Sequence, residues 1–337
     1  MSVATPRRRW ADLRVPVQIT LGFAAATLLA VGLPRVAELF VVINATVYAS
    51  MALLALSLAL VWGFGGILCL GQTAFFGLGG YAYAVAAINF GDSTWAVPVA
   101  LAVPSIVALL LGYVMFYGRI GDVYMGVITL TVTLILYKFA NSTAGDAWTI
   151  GQAPLGGFNG IPGTPPLNRP LQPDSPLTPE QVFGVAVLAV AFCYALAKLV
   201  LRARFGRVAV AVRENELRAE LMGYDVRLVK TCLFGLGGGM AGMAGILFAN
   251  CVFVSPTMFS LGYAGQVIIW VLIGGLGTLV GPIIGCVLIQ ALTAWAGQFQ
   301  GLDPNLLLGV VLMLCVLVIP RGLLPTATTA LARLRRP

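Results

Sequence analysis

Residues 202–230 read RARFGRVAVAVRENELRAELMGYDVRLVK, with long apolar runs on both sides. The stretch holds seven basic residues (Arg202, Arg204, Arg207, Arg213, Arg218, Arg227, Lys230) and four acidic ones (Glu214, Glu216, Glu220, Asp225). Eleven of the chain's thirty-two charged side chains therefore fall within twenty-nine residues. Hydrophobic residues make up 59% of the 337, charged residues only 9%, and the mean hydropathy is +0.95. A soluble domain of this size carries roughly a quarter of its residues charged. The chain thus reads as an all-α, polytopic integral membrane protein. Its charged stretch is a helix-prone segment held in water between spans.

Working outward, the apolar runs divide into ten predicted spans, near 15–33, 38–62, 70–89, 95–117, 122–142, 181–201, 229–251, 262–277, 281–299 and 304–320. Each span needs ~20 apolar residues to cross ~30 Å of hydrocarbon, and helices satisfy their own backbone there. No alternating ~10-residue pattern supports a barrel. The third and eighth spans are short and interrupted by glycine, which allows re-entrant or broken helices. With the N-terminus inside, seventeen of the twenty basic residues fall in cytoplasmic segments, and only Arg35, Lys138 and Arg169 fall elsewhere. Positive residues favour the cytoplasmic side, so both termini are expected there. The N-terminal 1–14 and the tail 326–337 are basic cytoplasmic ends, and 15–325 forms one transmembrane domain. The net charge of +8 then reports orientation and attraction to the lipid surface, not nucleic-acid binding.

The opening RRRWADLR before an apolar run looks superficially like a signal peptide, but no soluble mature domain follows it and cleavage is not expected. Residues 143–180 hold eight prolines and one basic residue. This segment is too long for a plain connector, and its charge places it outside. Gly65-Gly66-Ile67-Leu68-Cys69-Leu70-Gly71 in the first half echoes Gly274-Gly275-Leu276-Gly277-Thr278-Leu279-Val280-Gly281 in the second. Five spans per half with matching glycine segments suggest an inverted repeat. Recurrent glycine patches in packed helices are the alternative. The cluster GLGGGMAGMAG (235–245) is assigned to close helix packing.

Catalytic chemistry has little to stand on. There is no histidine, no GxxxxGK[ST] phosphate loop and no plausibly spaced carboxylate pair within a span. The six cysteines are scattered without a CxxC pair and read as small hydrophobes, so no metal site is expected. Asp92, Asp122, Asp146 and Asp303 fall at span ends, unlike the deep carboxylates of ion-coupled carriers. Lys138 lies one turn from the outer end of its span and can snorkel. Any energy source is therefore expected outside this polypeptide.

Within the charged stretch, Val208–Met222 reads as one short helix ended by Gly223 in a left-handed cap. Val210, Leu217 and Leu221 form an apolar stripe, and Glu214 with Arg218 makes an i, i+4 pair worth a few tenths of a kcal/mol. Such a helix either docks in a partner's groove or lies on lipid. The carboxylates Glu214, Glu216 and Glu220 disfavour an anionic membrane surface.

AVRENELRAELMGYDVRLVK (211–230) resembles the cytoplasmic coupling segment of permeases of branched-chain amino acid ABC importers, the LivM-type family, which includes urea-importer permeases. The resemblance continues in LCLGQTAFFGLGGYAYA (68–84), GDVYMGVITL (121–130), LGGFNGI (155–161), AGMAGILFANCVFVSPTMFS (241–260), IGGLGTLVGPIIG (273–285) and IPRGLLP (319–325). It spans roughly residues 45–325; the proline-rich insert 162–179 departs from it. The resemblance implies a bacterial inner-membrane permease with a homologous second permease, two cytoplasmic ATPases and an external substrate-binding protein. It implies no cofactor in this chain, since ATP and Mg²⁺ would be bound by the partner subunits. It also makes Arg213, Glu214, Glu216, Leu217, Glu220, Leu221 and Gly223 the candidates for ATPase coupling.

Gln72, Thr73, Phe75, Phe76, Tyr81 and Tyr83, in the glycine-rich 65–84 segment, are candidates to line a substrate path; plain helix packing is the alternative. Thr129 and Thr133 share a helix face and could bond a polar solute, although such hydroxyls more often bond their own backbone. Gly274 and Gly275 either break a helix beside the path or serve packing. Leucine, isoleucine and valine are the default substrates of the resemblance, with urea or short amides the runner-up. A stand-alone channel is the reading from a different class.

Overall fold

The computed structural model describes residues 7–145, 147–297, 309–310, 313 and 322–326. Its helices are α1 (Arg7–Val36), α2 (Leu39–Leu58, continued by a π turn Ala59–Phe64), α3 (Gln72–Phe90), α4 (Ser93–Tyr117) and α5 (Asp122–Ser142). After two small hairpins come α6 (Pro179–Arg202), α7 (Arg204–Glu214), α8 (Glu216–Leu221), α9 (Val226–Ala249), α10 (Leu261–Gly274) and α11 (Val280–Ala296). Nine of the ten expected spans correspond to described helices. Of the tenth, 304–320, only 309–310 and 313 are described; Asp146, Asp303, residues 1–6 and most of the tail lie outside the described residues. Among the described residues, seven helices are long and apolar enough to cross a membrane. α10, with 14 residues, rises only ~21 Å and falls short of the hydrocarbon thickness. The third span runs unbroken from Gln72; its glycine interruption lies before it, at 65–71.

Local chemistry sets several of these ends. Thr178 and Gln181 form a reciprocal capping box at the start of α6, with Pro179 in the first turn. Asp225 caps α9 by accepting from Arg227 N and Leu228 N, each at 3.1 Å. Gly91 ends α3 in the left-handed conformation (φ 66°).

α9 is the centre of the bundle, packed against α2, α3 and α4. Its small residues allow that approach. A Cβ on Gly242 would lie 2.2 Å from Pro104 Cγ of α4, and a Cβ on Gly79 of α3 would lie 2.2 Å from the Gly242 carbonyl oxygen. Without a hydrophobic driving force between helices in lipid, such close backbone contact is what holds spans together. The expected packing role of 235–245 is what the structure shows.

The segment between α5 and α6 folds into two antiparallel hairpins, β1 (Thr149–Ile150) with β2 (Ala153–Pro154) and β3 (Asn168–Arg169) with β4 (Gln172–Pro176). Helix ends anchor it. Asn89 Nδ2 donates to Ile150 O and Asn89 Oδ1 accepts from Gln152 N. Asn250 Oδ1 accepts from Leu167 N at 2.6 Å. Asn168 Nδ2 donates to Asp92 Oδ1 at 2.9 Å, and Ser93 N donates to Asn168 Oδ1. The proline-rich insert is thus an ordered cap over one end of the bundle.

The glycine echo does not behave as a symmetry mate. A Cβ on Gly63, just before the first glycine segment, would lie 3.1 Å from Gly277 N, inside the second. An inversion across the membrane plane would put such equivalents at opposite ends. Here they touch, at the end that carries α7 and α8.

Candidate functional site

The charged stretch folds into two helices, not the single one expected over Val208–Met222. Asn215 interrupts it in an extended conformation (φ −160°, ψ 102°), and its Oδ1 accepts from Arg218 N at 2.9 Å. An asparagine side chain offers the backbone a cap that competes with continued helix. The break separates Glu214 from Arg218, so their i, i+4 pair does not form. Glu214 instead has Arg213 Nε at 3.9 Å from its carboxylate, a weak contact at an exposed site.

The break also changes the apolar face. Val212 of α7, Ala219 of α8 and Val226 of α9 are buried together, with Val208 packed against them. Of the expected stripe, Val210 is half-buried while Leu217 and Leu221 face outward, with Leu221 81% exposed. Met222 and Tyr224 continue this exposed ridge. α8 ends as the spacing suggested: Gly223 is left-handed (φ 85°), its N–H bonds Glu220 O and the Tyr224 N–H bonds Ala219 O. Nothing lies within 4 Å of a Cβ built on Gly223.

Polar ties from Lys230 and Arg213 join α7 and α8 to the bundle. Lys230, only 8% exposed, donates from Nζ to Glu216 Oε2 at 2.6 Å. It closes a 420 Å³ groove, also bordered by Arg119, Leu217, Glu220 and Arg227, between α8 and the α4–α5 turn. Arg213 donates from Nη1 to the Gly63 carbonyl at 2.5 Å. Hydrogen bonds from charged donors contribute about 1.5–3 kcal/mol when well desolvated; the partial exposure of Arg213 puts this one toward the low end. Sequence reasoning assigned Lys230 to orientation and Arg213 to the partner-facing surface. Neither tie had a local signal: Gly63 lies 150 residues from Arg213, and Glu216 lies 14 from Lys230, across the turn between α8 and α9.

Most of the proposed path residues lie inside the subunit. Gln72, Thr73, Phe75, Phe76 and Tyr83 are buried within the subunit. Gln72 Nε2 donates to Ser57 Oγ and Gly237 O, fastening the first turn of α3 to α2 and α9. Phe75 and Phe76 pack edge-on against Phe234 and Phe248. Tyr83 Oη donates to Pro165 O at 3.1 Å and so holds the hairpin cap. Thr129 Oγ1 donates to Gly126 O and Thr133 Oγ1 to Thr129 O, which are bonds to their own helix. Thr129 Oγ1 also accepts from Leu70 N and supports the non-helical 65–71 segment. A Cβ on Gly274 would meet the Gly281 backbone at 2.3 Å, and Gly275 adopts φ 111°, so both serve the tight α10–α11 turn. Tyr81 borders a cavity of about 620 Å³ among α3, α4, α5 and the hairpins.

A bundle of long apolar helices with a charged two-helix element at one end defines a multi-pass membrane protein. The chain matches the family described as the branched-chain amino acid transport system / permease component over residues 40–319, and it belongs to that family. It is 28% identical over 329 residues to the high-affinity branched-chain amino acid transport system permease protein LivM of Escherichia coli K12, covering 92% of this chain and 76% of that protein. The corresponding LivM of Salmonella typhimurium is 29% identical, over 81% of this chain and 67% of its own. The autoinducer 2 import system permease protein LsrC of Salmonella paratyphi B is 33% identical over 105 residues, 29% of each chain. No solved structure matches the chain.

Proposed function

We infer that this chain is a permease subunit of a binding-protein-dependent ABC importer that moves branched-chain amino acids across a bacterial inner membrane. The observation that carries this is the outward-facing ridge Leu217, Leu221, Met222 and Tyr224 on a short charged element. Exposed apolar side chains in a water-facing, charged segment mark a contact surface, and an amphipathic helical element fits a partner's groove. The charge asymmetry favours the cytoplasmic side for this element and both termini, where an ATPase would meet it. The hairpin cap then faces the external substrate-binding protein.

The assembly would hold a second, homologous permease and two ATPases, with ATP and Mg²⁺ bound by the ATPases. Glu214, Glu220, Leu217, Leu221 and Gly223 lie at or beside the outer surface of the element and form its contact. Glu216 braces it through Lys230. Branched-chain amino acids are favoured over urea or short amides because the relatives matched over most of the chain carry that description.

The test is uptake of labelled leucine, isoleucine, valine and urea by cells carrying the intact system, with and without this chain. Loss of leucine-class uptake on deletion, and loss of ATPase co-purification in Leu221→Glu, are the expected results. Substrate flux through liposomes holding this chain alone, without ATP, would support the channel reading instead.

A further inference from the structure

We propose that Arg213 is the positioning residue through which movement of the α7–α8 element reaches the helix breaks inside the bundle. The inference rests on the coupling reading above and adds to it: Arg213, though part of the charged element, points inward.

Three observations converge on this side chain. Its guanidinium donates to the Gly63 carbonyl at 2.5 Å. Gly63 lies in the π turn that ends the α2 rod, and beyond Phe64 the chain leaves the helix, with Ile67 N turning back to bond Val61 O. The last carbonyls of a helix lack intrahelical partners and carry the negative end of its dipole, so a guanidinium there is a cap supplied from elsewhere in the chain. The aliphatic stem of Arg213 lies along Gly66, where a Cβ would come within 2.9 Å of Arg213 Cγ and where φ is +70°. On its other side stands Gly277, also left-handed (φ 82°), whose added Cβ would sit 3.8 Å from Arg213 Nη1. One side chain therefore bonds the break between α2 and α3 and stands beside the one between α10 and α11.

The packing makes this a lever and not merely a brace. Val212, Ala219 and Val226 form a small cluster separate from the main core. A shift of α8 and the end of α7 therefore disturbs this small cluster on α9 and leaves the main core, which holds Ala209 of α7, in place. Of the polar ties from α7 and α8, Glu216–Lys230 leads to α9, whereas Arg213 leads to segments with left-handed glycines on both sides. Such segments absorb large backbone rotations at small cost. The 65–71 break runs directly into Gln72, which is hydrogen-bonded to α2 and α9. A displacement of Arg213 is thereby passed to the start of α3.

The experiment uses the assembled transport complex containing this chain, as wild type, Arg213→Ala and Arg213→Lys. Three readouts are taken: ATPase co-purification, leucine uptake per ATP hydrolysed, and nucleotide-dependent amide exchange in 64–72 and 275–279. For Arg213→Ala the expected result is intact assembly and continued ATP hydrolysis. Uptake per ATP should fall about tenfold, the size of coupling change seen along transmission routes, and the nucleotide-dependent exchange should disappear. Arg213→Lys should restore part of both, because a cation still reaches the carbonyl. Unchanged uptake per ATP in Arg213→Ala, or an exchange response equal to wild type, overturns the proposal. Loss of ATPase co-purification in Arg213→Ala also overturns it, since the residue would then be a contact with the partner. If the wild-type chain binds no ATPase at all, the coupling reading itself fails, and the co-purification step distinguishes that result.

Discussion

Replacing Glu216 by alanine should loosen α8 from the bundle by stranding Lys230. The ammonium of Lys230 lies 2.6 Å from Glu216 Oε2, and its side chain is 10% exposed against 53% for the carboxylate partner. The face of Phe116 is 6.0 Å away and offers a weaker, cation–π stabilisation. Breaking a fully buried pair costs about 3–5 kcal/mol, whereas exposed pairs contribute about 0.2–1 kcal/mol. Half-exposure of Glu216 and the open groove beside Lys230 let water reach the stranded charge, which brings the expectation to about 1–2 kcal/mol. That corresponds to roughly a tenfold increase in local opening. Amide exchange of residues 216–224 in the purified, lipid-reconstituted protein reads it directly. Adding Lys230→Met should recover most of the protection, because the buried charge is then gone. Unchanged exchange in Glu216→Ala, or a double variant no better than the single one, would refute the assignment of this pair as the tie between α8 and α9.

Three further outcomes follow from the geometry. Gly223→Asp places a side chain in open space but at φ 85°, a backbone cost of about 1–2 kcal/mol for a residue with a Cβ. Membrane insertion should therefore persist while transport is lost, and normal uptake would remove Gly223 from the docking surface. Gly242→Leu drives a side chain into Pro104, where even a Cβ would stand at 2.2 Å, and overpacking costs about 1–3 kcal/mol or more; the thermal melt of the purified protein should fall sharply. Asp92 caps α4, and its acceptance of hydrogen bonds from Thr94 N first, then Asn168, holds its pKa below the ordinary value of 3.8. A folded value below the unfolded one means the cap's contribution is complete above the ordinary aspartate range and lost as pH falls through the lowered value. Proteolysis of the 168–176 hairpin should rise only in that acidic window, and a rise near neutral pH would contradict it.

Much of this molecule was legible before any coordinates. Nine described helices fall where hydropathy put spans, seven of them long enough to cross, Gly223 caps a helix as its position suggested, and 235–245 packs as small-residue clusters do. These are local properties: a run of ~20 apolar residues spans hydrocarbon wherever it sits, and a glycine after a short helix supplies φ > 0 without strain. Asn215 was also readable in principle, since asparagine is a strong N-cap. The apolar periodicity through it masked the break and led to one helix in place of two.

What the residues 68–84 do was not legible. Inside a membrane, lipid-facing and protein-facing surfaces are both apolar, so a hydrophobic pattern cannot separate a residue lining a path from one locked in the core. Only the tertiary structure placed Gln72 and Thr73 within the bundle and turned Tyr83 toward the hairpin cap. The same holds for the charged stretch. Its composition determined that a water-facing, helical, partner-sized element lies between spans, because charge is expelled from hydrocarbon regardless of context. Which charges face a partner and which fasten the element was decided by atoms distant in sequence: Gly63 and Gly277 for Arg213, and the groove behind α8 that buries Lys230 on Glu216.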